Sequence, residues 1–550
     1  MRLKNKEGAV LTADIFTKER IVFFFNIILI SLVVYAVFMT NELSNTYDGM
    51  WKGYKYKEYD WVVSLGRYIW PLVGYSRRCL SPEPFNTVVT MVFFSLGACL
   101  IVSLFDLYNQ KIAAYVIAIS IVVNTAVSIA LSYRNTQSTF GVAFAAAVAA
   151  VWILVLQKNI KTEMNNKTEV SFVSIILSAM LITISLGCYQ AGIGCTVCLM
   201  MAYILRMFVR GDDNREVCTF CLSASAALII GCILYKAGWM TVTYVTGIPA
   251  SAYHGADSVT LGGILVNIHN RIKDAFSGWM LWTFGNDLRH NIFQDCIIYK
   301  VLVIISGLIV ILAVFSTSCK TSILRALISV SIFILFPLGT NIAMLLSPGG
   351  GGMQLQMSMP LVMQKPLLFA LLLEVLSCNI PFFRIADAIP NKMICIKTVV
   401  TVIVMMLVYG DFIMVSVDQH IMLKSRQTAI ALMHDLASTE EFREVASAPP
   451  EGGFVFLGNP CNNQVYRKDE LWEYSNDYAK YGQFWLGGNC NTQSYLGYLR
   501  DSGISVPFNN DYDYWHQLEQ LDATKEMPSY PTKGYVRKIE DVVVIKVSDW

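Results

Sequence analysis

The chain has 550 residues, of which 55% are hydrophobic and only 15% charged. A soluble domain carries roughly 25% charged residues, so this apolar surplus is more than a core can bury and a wholly soluble protein is excluded. The formal charge of +2 hides a division, because residues 416–550 hold 12 Lys and Arg against 19 Asp and Glu while residues 1–415 hold 30 against 21. A basic membrane part joined to an acidic tail fits that division. No dense basic stripe runs through the sequence, so DNA and RNA are not expected as partners.

Residues 1–20 are basic and read as a cytoplasmic N-terminus. The apolar run that follows is too long for a signal-peptide core, and no small-residue cleavage site comes after it, so it reads as a retained first span. Apolar stretches near the length of a bilayer crossing place spans at 21–40, 86–105, 112–132, 139–156, 169–188, 191–209, 217–236, 296–316, 324–345, 360–377 and 395–415. These make about eleven transmembrane helices within a membrane domain at 21–415. With the N-terminus inside, the cytoplasmic connections collect Lys4, Arg20, Lys111, Arg206, Arg210, Lys320 and Lys397, whereas the short outer turns hold only Arg134. An odd number of spans then puts the tail, 416–550, outside. Lys365 and Glu374 interrupt the tenth span, and without that span the tail would lie inside.

Two loops on the outer side, 41–85 and 237–295, are long enough to fold. In the first, Trp61, Leu65, Tyr68, Ile69 and Leu72 recur at helical spacing, which predicts an amphipathic helix over Asp60 to Tyr75 lying in the membrane interface, kinked at Pro71. No cytoplasmic segment has room for a nucleotide-binding domain, and neither a P-loop nor a dinucleotide glycine signature is present. Group transfer would therefore take place at the outer face, from a lipid-linked donor.

Several residues there can carry such chemistry. Asp48 lies in Asn45-Thr46-Tyr47-Asp48-Gly49-Met50-Trp51, among basic and aromatic neighbours, where a carboxylate can deprotonate a sugar hydroxyl; Asp48-Gly49 equally suits a plain turn. Asp60 is the substitute for that role. Arg67, Arg77 and Arg78, with Lys52, stand where the head of a polyprenyl phosphate would lie, and guanidinium groups hold phosphate bidentately. Basic side chains also snorkel to anionic lipid at that depth, so both readings stay open. Tyr189 and Gln190 close the fifth span, and Gln190 can hydrogen-bond a sugar or simply meet water at a helix end. Trp282 and His290 in the second loop can bind an acceptor sugar, although no spacing there singles out a site.

Cys195-x-x-Cys198 and Cys218-x-x-Cys221 come close to a zinc spacing, but they fall at opposite ends of successive spans, and small residues packing between helices explain them better. No metal and no other cofactor is expected. In the tail, Gly453 to Leu457 and Asp541 to Val547 read as strands and Lys424 to Ala437 as a helix, which suggests a small α/β domain. Its aromatic residues suit either carbohydrate stacking or a core. Cys461 and Cys490 are candidates for a disulfide if the tail is outside the cell.

With Asp48 in the first loop, Trp61, Leu65 and Gly66-Arg67-Tyr68 after it, and Gly187-Cys188-Tyr189-Gln190-Ala191 ending the fifth span, the chain resembles the serotype-converting glucosyltransferases of bacterial O-antigen. That resemblance implies an all-α, GT-C-like polytopic fold with a small extracytoplasmic α/β domain, in the bacterial cytoplasmic membrane. It also implies transfer of a hexose, commonly glucose, from an undecaprenyl-phosphate carrier to a cell-surface glycan. Asp48 takes the family's acidic position, Arg67 its Gly-Arg position and Gln190 its Tyr-Gln position. Relatives often have two adjacent acidic residues where Gly49 follows Asp48 here, which is why Asp60 stays a second candidate. The alternative is a lipid-linked glycan flippase or other transporter, for which Lys365 and Glu374 would form the intramembrane charge pair.

Overall fold

The computed structural model describes residues 17–43, 53–57, 59–165, 172–251, 268–285, 289–346, 355–378, 392–459, 462–463, 465, 468–481, 492–509 and 511–549. Among the described residues eight helices are long and apolar enough to cross a membrane. They include α5 (Phe85–Leu104), α8 (Gln137–Asn165), α10 (Gly192–Arg210), α11 (Asn214–Thr246), α13 (Ile297–Cys319) and α14 (Ile323–Thr340). The other two are the segment Met359–Ser377, whose main part is α15 (Gln364–Ser377), and α16 (Lys392–Ser438). The remaining three predicted spans are also helical but fall outside that group. The first is α1 (Lys18–Val34) followed by α2 (Ala36–Asn41), the third is α6 (Lys111–Val122) bent by 40° into α7 (Thr125–Ser132), and the fifth is the 17-residue α9 (Phe172–Cys188).

The two broken spans satisfy each other. Tyr35, fully buried at the α1–α2 break, donates its hydroxyl to the carbonyl of Asn124 at 3.1 Å and accepts the Asn124 N–H at 3.3 Å. Asn124 then caps α7 by accepting from Val127 N at 3.0 Å, while its Nδ2 donates back to Ile121 at 2.8 Å. Irregular backbone at membrane depth survives only where such partners replace the missing helical bonds.

α10 ends where Gly211, at φ +71°, takes the left-handed cap that a residue with a Cβ disfavours. One turn earlier Arg206 is only 3% exposed, and it donates to Asp106 at 2.5 Å and to Glu374 at 3.1 Å. Arg210 reaches the same Glu374 at 2.5 Å. This knot ties α5, α10 and α15 together at the end of the bundle remote from the C-terminal domain, the far end. The opposite end, against which that domain packs, is the tail-side end.

The tail is a continuation of the last span. α16 runs through residues 415 and 416 without interruption, so the predicted span at 395–415 and the predicted helix at Lys424 to Ala437 are one rod. A three-stranded sheet follows, ordered β1 (Phe454–Leu457), β3 (Val542–Lys546), β2 (Val536–Ile539), with β1 and β3 parallel and β2 and β3 antiparallel. Both faces of β1 and β3 are covered. Phe454, Phe456, Val543 and Ile545 pack with Leu432 and Leu436 of α16, while Val455, Leu457, Val542 and Val544 pack with Trp515 and Leu518. Period-2 alternation with both sides apolar gives the continuous hydrophobic runs seen in the sequence.

The domain is fastened to the bundle by buried polar contacts. Asp418 of α16 accepts from the Asn476 backbone and side chain, each at 2.9 Å, and from the Tyr478 hydroxyl at 2.7 Å. Tyr478 in turn reaches Ser128 of α7 at 3.0 Å. Arg426 bonds the Glu42 carbonyl at the end of α2 and pairs with Asp501 of the tail.

Candidate active site

The two motifs of the first loop and the fifth span form a single structure at the tail-side end. The predicted interfacial helix is two short helices, α3 (Asp60–Ser64) and α4 (Trp70–Ser76), and Pro71 lies in the first turn of the second, where a missing N–H costs nothing, and does not kink a continuous one. Between them Gly66 adopts φ +86°, and a Cβ there would collide with the hydroxyl of Tyr235. Only glycine meets both demands. Gly187 serves the same close approach from the other side, since a Cβ on it would strike Ile69, whose N–H donates to the Gly187 carbonyl at 2.9 Å.

Gln190 joins the halves. Its Nε2 donates to the Leu65 carbonyl at 2.5 Å and to Tyr235 Oη at 3.2 Å, and its Oε1 accepts from Arg67 Nε at 3.2 Å. The Arg67 guanidinium lies over the Tyr189 ring at 4.9 Å and near that of Trp70 at 5.7 Å. Among the described residues, the Nη atoms of Arg67 have no hydrogen-bond partner. A guanidinium oriented through Nε and stacked on aromatic faces, with its outer nitrogens free, is prepared to hold an anion bidentately.

Arg77, expected beside it, is used by the protein itself. Its two Nη atoms donate to Asn86 Oδ1 and, at 2.6 Å, to the Asn135 carbonyl. Burial pushes its guanidinium below the ordinary arginine value. Arg78 is exposed, at φ +54°. Asp60 is exposed in the first turn of α3, where the helix dipole favours a carboxylate. Asp48 and Lys52, and the candidate disulfide Cys461 with Cys490, lie outside the described residues.

Residues to which the sequence reading gave no role are buried around the Arg77 partners Asn86 and Asn135. Arg134 is 1% exposed and lies over the Tyr54 ring at 4.2 Å. Glu83 accepts from Gln137 Nε2 at 2.6 Å and from Thr87 N at 3.0 Å, yet its burial outweighs these bonds and pushes the carboxyl above its ordinary range. The available signal was the polar run Arg134-Asn135-Thr136-Gln137-Ser138-Thr139 at the head of an apolar helix, all of it buried.

Trp282, in α12 (Ile268–Phe284), and His290 do not join the Arg67 cluster. They stack on one another at 4.8 Å with rings 11° apart and line a separate cavity. Burial first, and Lys365 second, hold the His290 imidazole well below its ordinary value. Lys365 and Glu374 are not a pair. Lys365 bonds Asp411 of α16, while Glu374 belongs to the far-end knot with Arg206 and Arg210. Cys195, Cys198, Cys218 and Cys221 are free thiols, and among the described residues no cluster of His, Cys, Asp and Glu is arranged to hold a metal.

The profile of the glucosyl transferase GtrII family matches residues 36–371. The chain belongs to this family. The matched region begins at α2, ends within α15 and contains both motifs, so the family resemblance drawn from Gly66-Arg67-Tyr68 and Gly187-Cys188-Tyr189-Gln190 holds. As a family member the protein is a glycosyltransferase, and glucosyl transfer requires a sugar donor and a glycan acceptor. No curated protein and no solved structure matches the chain.

Proposed function

We propose that this glucosyl transferase moves glucose from a polyprenyl-phosphate carrier to a surface glycan, at the outer face of a bacterial cytoplasmic membrane, with the C-terminal domain on that same side. The observation that carries the reading is Arg67, oriented by Gln190 over Tyr189 with its outer nitrogens free, in the half of the bundle that meets the tail. In the proposed step the acceptor hydroxyl oxygen attacks the anomeric carbon of the donor sugar and its proton passes to the Asp48 carboxylate. The bond from that carbon to the carrier phosphate breaks, and the phosphate leaves with the electron pair. Arg67 neutralises the charge that develops on it, an interaction stronger in the transition state than in the ground state. Asp60 is the second candidate for the base. Because a fixed guanidinium supplies the charge stabilisation, transfer is expected to continue in the presence of a chelator.

The test uses purified full-length protein in liposomes with radiolabelled undecaprenyl-phosphate-glucose and surface polysaccharide, following label into polymer. Wild type is expected to transfer, while Asp48→Asn and Arg67→Ala are expected to remain folded without transferring. Wild-type rates from Asp48→Asn would remove the base assignment. No transfer by wild type with donor and acceptor varied would remove the reading.

A further inference from the structure

Gln190 orients a second group besides Arg67. Leu65 presents a carbonyl, which can only accept, and Arg67 presents Nε–H, which can only donate. The side-chain amide of Gln190 therefore has one orientation that satisfies both, with Nε2 toward Leu65 and Oε1 toward Arg67. Both N–H groups of Nε2 are then used, one on the Leu65 carbonyl and the other on Tyr235 Oη at 3.2 Å. Tyr235 is the acceptor in that bond, so its own hydroxyl proton is left over. Among the described residues no acceptor takes that proton.

The ring that carries this hydroxyl is fixed. Tyr235, on α11, stacks with Tyr68 at 5.9 Å and 23° between planes, and with Trp239 at 6.4 Å and 28°. Trp239 is itself anchored, its Nε1 donating to the Val63 carbonyl at 2.9 Å, and Tyr68 is seated on Gly238, where a Cβ would strike its hydroxyl. The Tyr235 oxygen lies against Gly66, the residue before Arg67. A single amide thus holds Arg67 at its oxygen and Tyr235 at its nitrogen, which brings two donors with unused hydrogens to one place. The chemistry asks for two. A sugar phosphodiester carries one negative charge and the phosphate monoester that leaves carries close to two, so one guanidinium balances only part of the charge that develops.

We propose that Tyr235 is a further catalytic residue, whose hydroxyl donates a hydrogen bond to an oxygen of the leaving phosphate beside Arg67. The electron pair of the broken bond stays on the phosphate and the proton stays on Tyr235, since a phosphate departs without being protonated. The inference rests on the reading of a polyprenyl-phosphate donor with its phosphate on Arg67. It makes Gln190 the support of two donors instead of one.

The experiment uses the full chain, with transfer from radiolabelled undecaprenyl-phosphate-glucose measured in liposomes and binding of undecaprenyl phosphate and neutral undecaprenol measured in nanodiscs. Tyr235→Phe removes the oxygen and keeps the stacked ring. It is expected to lower kcat roughly tenfold or more, as for a hydrogen bond to a charge, with KM for the donor little changed. It is also expected to weaken undecaprenyl phosphate, which carries the charge of the leaving group, at least about threefold and to leave undecaprenol unchanged. Introduced into Gln190→Leu, Tyr235→Phe should slow transfer again by at least about threefold. No further loss there means that the hydroxyl serves only Gln190 and overturns the inference, as does a Tyr235→Phe enzyme as fast as wild type. Should Tyr235→Phe lower the melting temperature, 3-fluorotyrosine in place of Tyr235 decides, assayed at about pH 6 where the phenol is protonated. Fluorine makes the hydroxyl a stronger donor and its oxygen a weaker acceptor, so transfer holds or rises if the proton meets the phosphate. A fall shows an oxygen that only receives Gln190 and overturns the inference with the transfer reading intact. If wild type does not transfer while Tyr235→Phe still weakens undecaprenyl phosphate, the transfer reading falls and the two-donor anion site stands; with neither transfer nor weakening, both fall.

Discussion

Gln190→Leu is the most informative single change, because one side chain holds both motifs. It removes a short bond to the Leu65 carbonyl, a bond to Tyr235 and the charged bond from Arg67 at 3.2 Å. Leaving the Leu65 carbonyl unpaired costs about 1–3 kcal/mol, and the charged bond is worth about 1.5–3 kcal/mol. The first falls on folding, since Leu65 and Tyr235 are held in the ground state. The second falls on the position of Arg67, and since 1.4 kcal/mol is a factor of ten in rate, transfer is expected to slow roughly ten- to a hundredfold. Initial rates of label transfer measure the second effect, and the melting temperature of the detergent-solubilised protein measures the first. Because Gln190 acts through Arg67, Gln190→Leu should slow transfer less in an Arg67→Lys background that keeps measurable activity than it does in wild type. Equal losses in the two backgrounds, or a Gln190→Leu enzyme as fast as wild type, would refute the positioning role.

Arg67 and Arg77 should separate cleanly. Arg67→Ala, which gives up one hydrogen bond of the guanidinium, is expected to abolish transfer with little change in melting, whereas Arg77→Ala strips partners from Asn86 and Asn135 and should cost about 2–4 kcal/mol of stability. Gly66→Ala combines a left-handed backbone, about 1–2 kcal/mol, with a collision against Tyr235, and should lower melting and transfer together; an unchanged melt would contradict the close approach. Burial raises the Glu83 carboxyl, so its ionised form is penalised in the folded state, and the stability linked to its protonation is present below the ordinary pKa and lost as pH rises through the folded value. Glu83→Gln should therefore melt higher than wild type at about pH 8 and lose that advantage near pH 4, as measured by melting temperature against pH.

The membrane class, the positions of the apolar helices and the strands β1 and β3 of the tail were legible in the sequence. These are local properties, in which hydropathy over a window and the period of burial carry the information. Gly66-Arg67-Tyr68 and Gly187-Cys188-Tyr189-Gln190 could be seen as motifs, but their glycines acquired a physical reason only from the side chains packed on them, Tyr235 at Gly66 and Ile69 at Gly187. The predicted helix over Asp60 to Tyr75 kept its periodicity and lost its continuity, because the left-handed turn at Gly66 is demanded by a partner more than a hundred residues away.

The partners of the charges were decided by tertiary structure alone. Lys365 and Glu374 share a helix and a sequence neighbourhood, yet one faces Asp411 toward the tail and the other faces Arg206 and Arg210 at the far end. Arg77 and Arg67 are alike in composition and setting, and only the packing of α5 and α8 spends the first on Asn86 and Asn135 while leaving the second free to bind. Hydropathy states how much charge the membrane part carries. Which charge is neutralised within the fold and which is left for a ligand depends on which helix ends meet, and that is a property of the assembled bundle.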